Sequence, residues 1–411
     1  MITTRFLRRR DDVQAILVYF RHLQFPAVQQ EPSRFRVGQK SANLPTGSKL
    51  PRLRGRRLIR RRLGFSLLYN IHNVRAQHGE RVAMGTVYNC FHFGSSHENF
   101  DYMANAELHL HLEGTVDPAT ARLLDPAVTP QEVDAAWQYT DFQGFIACFQ
   151  FIARRLKTPE DYALITRRMM RNLSAQGVNY AEVTLAAGVV LWRELDFDAV
   201  WRAVRAAQFD EFQQSPVEIH WNLDAIRQFG ADHVLTVAKL AAKYAGDGAI
   251  SFGIGGDEHR GPAHLFGEAY RYAGDAGLRL TCHAGETAGP QSIVDALAIG
   301  AERIGHGVHA IDDPYLLARL RDENIPLEVC ITSNIKTGAI ADLDAHPVKR
   351  LFDAGVPITL NTDDPGMFDC TLASEFALAA SRFGFSPAEL QTIRDNAWKY
   401  AFAPARGMRI K

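Results

Sequence analysis

The fold class this sequence predicts is α/β, a (β/α)8 TIM barrel, and three observations carry the prediction. From Met103 onward, apolar strand-like runs alternate with stretches of helical periodicity, the pattern of βα units around a parallel sheet. The runs number eight. Histidines and carboxylates gather at their ends, where a barrel of this kind builds its site.

At 411 residues the chain exceeds an average domain, yet a barrel of ~250 residues or more with added segments absorbs most of it. A composition of 46% hydrophobic and 22% charged residues with formal net charge +0 is ordinary for a globular protein. The neutral total conceals a division: the first hundred residues hold 18 Lys+Arg against 5 Asp+Glu, leaving 28 basic against 41 acidic in the rest. We therefore divide the chain into a basic, low-order N-terminal extension over 1–102 and a barrel domain over 103–411. Arg8-Arg9-Arg10 and the arginines between Arg52 and Arg62 sit among prolines with little periodicity. Basic runs can bind nucleic acid or act as transit peptides, but no groove-reading pattern accompanies the charge, so a solvated tail and no nucleic-acid partner are expected. Five scattered cysteines without a CxxC pair argue against a disulfide framework and fit a reducing, cytoplasmic setting. No apolar run approaches the ~18 residues that cross a membrane.

In chain order the predicted strands are 107–112, 178–185, 217–223, 250–256, 279–285, 303–307, 327–331 and 357–363. Amphipathic helices fit between them, at 159–176, 231–244, 262–276 and 314–323 among others. On the first strand, alternation turns His109 and His111 one way and Leu108, Leu110 and Leu112 the other. Two imidazoles inside a covered sheet need partners, either each other and the core or a metal ion. The interval 115–173 is longer than one helix needs, and Tyr139, Phe142, Phe145, Phe149 and Phe151 lie in it. They are either ordinary helix packing or an extended helical lid over a flat ligand.

The fifth strand ends Thr281-Cys282-His283-Ala284-Gly285-Glu286, the sixth Arg303-Ile304-Gly305-His306-Gly307, and the eighth Leu360-Asn361-Thr362-Asp363-Asp364-Pro365. Four strand ends thus deliver His109, His111, His283, His306, Asp363 and Asp364 to one rim. Alternation turns Cys282 away into the core. Imidazoles with carboxylate and no aligned thiolate suit a catalytic Zn²⁺ that keeps a position for water. No lysine lies at the strand ends near 185, 223 and 256, so one Zn²⁺ per chain is expected. Such an ion lowers the pKa of its water towards ~7. Glu286, three residues past His283, is placed for general acid/base work or for a favourable helix N-terminus. His306 either positions the nucleophile or makes a structural hydrogen bond.

His109-Leu110-His111-Leu112-Glu113-Gly114, His283-Ala284-Gly285-Glu286, Gly305-His306-Gly307, Thr332-Ser333-Asn334 and Asn361-Thr362-Asp363-Asp364-Pro365, in that order, resemble the adenosine deaminase family of amidohydrolase barrels over about 105–402. The resemblance implies Zn²⁺ on His109, His111, His283 and Asp363. It implies that Glu286 protonates purine N1 while His306 orients the hydroxide that attacks C6. Asp364 and the backbone of Gly256 are implied to meet N7 and N3. Where animal enzymes usually carry Asp, at the position reaching the sugar's 5′ end, this chain has Glu113, as do bacterial relatives acting on adenine or aminodeoxyfutalosine. The stretches 186–192 and 224–230 look more like the aminodeoxyfutalosine branch of menaquinone biosynthesis, in which Arg193 or Arg227 would pair with the substrate's carboxylate. The expected activity is hydrolytic removal of ammonia from a 6-aminopurine nucleoside, with a small-molecule partner, no membrane, and an oligomer allowed. The competing readings are adenine deamination, another metal-dependent hydrolysis on the same barrel, and nucleic-acid binding through the arm.

Overall fold

The computed structural model describes residues 105–403; the expected N-terminal extension, 1–102, lies outside the described residues. Eight parallel strands follow one another around the sheet in sequence order: β1 (Asn105–His111), β2 (Val178–Leu185), β3 (Glu218–Ile226), β4 (Ala249–Gly255), β5 (Arg279–Ala284), β6 (Arg303–His306), β7 (Leu327–Val329) and β8 (Ile358–Leu360). Helices surround them, so this is the expected (β/α)8 barrel.

β1 and β8 meet through residues of the rim. Leu110 bridges to Asp363, His111 N–H donates to Asp363 O at 2.8 Å, and Asp363 N–H donates to His109 O at 3.0 Å. Deeper in the barrel, Leu108 N–H donates to Asn361 Oδ1 at 2.9 Å. The seam of the barrel and the histidine-rich rim are the same place.

Strand ends depart from expectation for local reasons. β3 runs past the expected 223 to Ile226 because Asp224, Ala225 and Ile226 keep pairing with β4, the Asp224 side chain being buried. β8 ends at Leu360, ahead of Asp363, which adopts φ +64°, a left-handed backbone uncommon for a residue other than glycine. Ile331 opens the helix Ile331–Lys336 instead of extending β7. The helix expected over 262–276 starts as a 3-10 turn, Ala263–Phe266, before the α-helix Gly267–Asp275.

Between β1 and β2 lie the helices Pro118–Leu124, Pro130–Ala136 and Phe142–Ala153 ahead of Pro159–Ala175. Each is started by a side-chain cap, from Asp117, Thr129, Asp141 and Thr158 respectively, which satisfies N–H groups that a helix start leaves bare. Trp137 Nε1–H donates to Gly366 O at 2.9 Å and Tyr139 O–H to Met367 O at 2.8 Å. Phe145 stacks on Phe368, centroids 5.3 Å apart. The insertion is thereby tied to the helix Pro365–Phe368, which directly follows Asp364.

At the opposite end, Arg303 is buried between Glu182 Oε2 at 2.6 Å and Glu328 Oε1 at 2.5 Å. It also donates to Tyr400 O at 2.9 Å and lies over the Phe402 ring, 3.6 Å from its centroid. Residues after the last helix, Pro387–Lys399, thus floor the barrel. Among the described residues no helix is long and apolar enough to cross a membrane.

Candidate active site

Alternation on β1 turns His109 and His111 inward together, their ring centroids 5.3 Å apart. β5 brings His283, centred 4.6 Å from His109 and 5.2 Å from His111. β6 brings His306 to 4.9 Å from His109, and the seam brings Asp363. Donor atoms of His109, His283, His306 and Asp363 lie within 4.8 Å of one another, and His111, Asp363 and Asp364 form an overlapping set. The approach is close enough to demand glycine beneath it: a Cβ on Gly305 would lie 2.8 Å from His109 Cε1. His306 and Asp363 both adopt positive φ, +61° and +64°, strain of the kind that functional sites retain.

Hydrogen bonds behind the rings decide what each ring presents. His109 Nδ1 is 2.7 Å from Glu328 Oε2, and His283 Nδ1 is 3.0 Å from the Ile254 carbonyl oxygen. Burial opposes charge on Glu328, but Arg303 and His109 hold its carboxyl below the usual range, so it stays an acceptor. A carboxylate and a carbonyl only accept, so each Nδ1 carries the hydrogen and each Nε2 presents a lone pair.

Those lone pairs converge. His283 Nε2 is 3.1 Å from His111 Nε2. Asp363 Oδ1 is 3.3 Å from His109 Nε2 and 3.2 Å from His111 Nε2, and His109 Nε2 has no hydrogen-bond partner. Electron pairs packed this closely need protons or a cation between them. With protons alone, burial opposes charge on His109 and His111, but Asp363 with Glu328, and Asp364 with Asp363, raise them to about 10 and about 9. Burial and the charge on His109 and His111 then drive His283 well below its ordinary value. A divalent cation replaces such protons and satisfies every donor atom at once. Ser333 Oγ–H holds the other Asp363 oxygen, Oδ2, at 2.7 Å.

Glu286 stands beside this cluster, its Oε2 3.7 Å from His306 Nε2. It is 5% exposed, and burial, then the charges of Asp363 and Glu258, hold its carboxyl well above the usual range. Its surroundings thus favour the protonated form of Glu286, the form a proton donor needs. Asp364 packs against Gly114, where a Cβ would collide with its Oδ1 at 1.8 Å. Glu113 is buried and accepts from Ala186 N–H at 3.2 Å; burial raises it to about 7. Gly256, at φ +98°, closes β4 flush against Gln228.

Residues 104–410 match the sequence model of the family described as Adenosine deaminase. The chain belongs to the adenosine deaminase family. It is a hydrolytic deaminase of the amidohydrolase superfamily. It is 37% identical over 315 residues to an aminodeoxyfutalosine deaminase of Streptomyces avermitilis, covering 74% of this chain and 88% of that one. An adenine deaminase of Rhizobium johnstonii is 35% identical over 310 residues, 73% of this chain and 95% of that one. Among solved structures, an amidohydrolase from Burkhoderia ambifaria with bound Zn superimposes with a TM-score of 0.69 at 25% identity, covering 74% of this chain and 86% of that one.

This adenosine deaminase family member also uses residues that the strand-end motifs do not reveal. Glu258, after β4, accepts from Gly285 N at 2.8 Å, Glu286 N at 2.9 Å, Thr287 N at 2.7 Å and Ala288 N at 3.3 Å. Ser292 Oγ–H adds to these bonds. One buried carboxylate thus holds the loop that carries Glu286. Glu328 holds His109, and Arg303 holds Glu328. An acid between Leu327 and Val329 in a strand was the available signal, because a buried carboxylate needs a donor or a cation. The expectation for Arg227 fails: it is 1% exposed and donates to the carbonyls of Gly261, at 3.1 Å, and His283. Arg193 donates to Ala153 O and, at 2.8 Å, to Leu156 O. Both nitrogens of Arg227 that donate are thus held by backbone oxygen, whereas on Arg193 both bonds come from Nη1 alone. Cys282 is buried as expected.

Proposed function

We propose that this chain removes ammonia hydrolytically from a 6-aminopurine carrying a substituent at N9, with aminodeoxyfutalosine as the substrate and one Zn²⁺ held by His109, His111, His283 and Asp363. The observation that carries the proposal is a buried Glu286 carboxyl, 3.7 Å from His306 Nε2, beside a cluster of converging Nε2 lone pairs and a carboxylate. Nitrogen and oxygen donors without thiolate suit Zn²⁺, and the superimposed amidohydrolase holds Zn. When bound, the ion lowers the pKa of its water so that a nucleophile is available at neutral pH.

The protein's own groups do the rest. Glu286 gives its proton to ring N1, so C6 becomes electrophilic and the charge that develops there is met only in the transition state. His306 orients the incoming water. Asp364 and the Gly256 backbone fix the flat ring at N7 and N3. Water adds at C6, the C6–N bond breaks, and ammonia leaves with the oxopurine as product. The aminodeoxyfutalosine deaminase relative supports the substrate assignment, and the buried free cysteines among the described residues, Cys148, Cys282, Cys330 and Cys370, support a reducing, cytoplasmic location.

Free adenine is the second reading. It is supported by the adenine deaminase relative and by Glu113, which stands where animal enzymes usually carry Asp and accepts from Ala186 N–H at 3.2 Å. Ammonia release measured side by side from adenine, adenosine and aminodeoxyfutalosine separates the two. Turnover of adenine alone overturns the nucleoside assignment, and no release from any of the three overturns the deaminase proposal.

A further inference from the structure

We propose that a hydrogen-bond chain anchored on the Val348 backbone amide fixes the tautomer of His306, with His346 and Asn334 as positioning residues and the imidazole hydrogen on Nε2. The anchor is a group whose polarity cannot reverse. A backbone N–H only donates, and Val348 N–H lies 3.2 Å from His346 Nδ1. That nitrogen is therefore the bare one. His346 is 4% exposed, and burial, then the neighbouring His306 and Arg350, push it down to about 3, so it stays neutral and its hydrogen sits on Nε2.

His346 Nε2–H then donates to Asn334 Oδ1 at 3.2 Å. A side-chain amide can be turned either way; here the donor behind it settles the choice. Asn334 Nδ2–H is left facing His306 Nδ1 at 3.1 Å. His306 Nδ1 therefore accepts, and its hydrogen goes to Nε2, which points at Glu286 Oε2 at 3.7 Å and Asp363 Oδ2 at 3.8 Å. Asn334 and His306 are 0% and 1% exposed, so water does not compete for these bonds.

The rings of this site thus follow one rule. A ring backed by an acceptor, as His109 is by Glu328 and His283 by Ile254 O, presents a lone pair. A ring backed by a donor, as His306 is by Asn334, presents a hydrogen. His306 is thereby removed from the possible cation donors despite lying within the cluster. Resting on the deaminase proposal, its part in the reaction is that of a hydrogen-bond donor, and it does not take a proton from the incoming water.

The test is long-range ¹H–¹⁵N correlation of the imidazoles in ¹⁵N-histidine-labelled, metal-loaded full chain, with H306Q and H346Q assigning the two rings. The expected spectrum shows a bare Nδ1 and a protonated Nε2 on both. A hydrogen on His306 Nδ1, alone or with one on Nε2, overturns the proposal. N334D is the matching perturbation, because a carboxylate only accepts and draws the His306 hydrogen to Nδ1. Its expected effect is a roughly 100-fold or greater loss of kcat, in line with the cost of a wrong tautomer elsewhere, with KM and metal content near wild type. H346Q keeps an N–H donor and should retain most activity, whereas H346F should not. Unchanged kcat in N334D overturns the proposal, as does equal activity of H346Q and H346F. The spectra judge the tautomer even if no 6-aminopurine is turned over, so failure here is distinguishable from failure of the deaminase proposal.

Discussion

Replacing Glu258 with Gln tests whether a single buried carboxylate both places Glu286 and keeps it protonated. One oxygen, Oε1, takes the N–H groups of Glu286, Thr287 and Ala288; the other, Oε2, takes Gly285 N–H and the Ser292 hydroxyl. A glutamine keeps one oxygen, best placed for the three-donor set, and turns an NH₂ towards Gly285 N–H. One buried N–H left unpaired costs about 1–3 kcal/mol. Losing the charge also weakens the remaining bonds, which as charge-assisted contacts were about twice as strong as neutral ones, so a total near 3 kcal/mol is expected in urea unfolding. The electrostatic effect has a definite sign. The negative charge of Glu258 is among the causes that hold Glu286 high, and the proposed proton donation needs Glu286 protonated. Removing the charge lowers the pH at which Glu286 loses its proton, so the alkaline limb of the kcat profile moves to lower pH. E258A, with four N–H groups unmet, should be less stable than E258Q. An E258Q protein of wild-type stability whose alkaline limb stays in place would refute the reasoning.

E286Q should retain metal and lose roughly 10²–10⁴-fold in kcat, the range for a lost general acid; turnover within a few fold of wild type excludes proton donation by Glu286. H111A should fall below one metal per chain by elemental analysis, and full stoichiometry would remove His111 from the donor set. E328Q should weaken metal affinity by roughly 10–100-fold, the usual cost of losing the group behind a ligating histidine. It also leaves Arg303 with Glu182 as its remaining carboxylate, so stability should fall too; competition with a chelator and thermal unfolding read the two effects separately.

The barrel was legible because alternation and strand-to-helix switching are local. β2 was bounded correctly at Val178–Leu185 from its own residues. The proposed donor set was legible for the same reason: His109, His111, His283 and Asp363 each sit near the end of an apolar run, and the barrel brings those ends together. What escaped were interactions written in two places at once. Glu258 and the 285–288 loop lie on different strand ends, and neither announces the other. Arg227 looked available for a ligand because a guanidinium fork matches a carboxylate, but its partners, Gly261 O and His283 O, are backbone atoms that no pattern of residue types reveals. The tautomer of His306 depends on one backbone amide 42 positions away, at Val348, and only coordinates connect them.

Since Leu108 and Asn361 meet across 253 residues of sequence, the ribosome finishes His109 and His111 long before Asp363 exists. At ~5–20 residues per second, the wait is roughly 13–50 s. Throughout that interval the emerging polypeptide holds imidazoles with no carboxylate to complete them. On the proposed metal site, the full donor set is therefore complete only once β8 has emerged and docked.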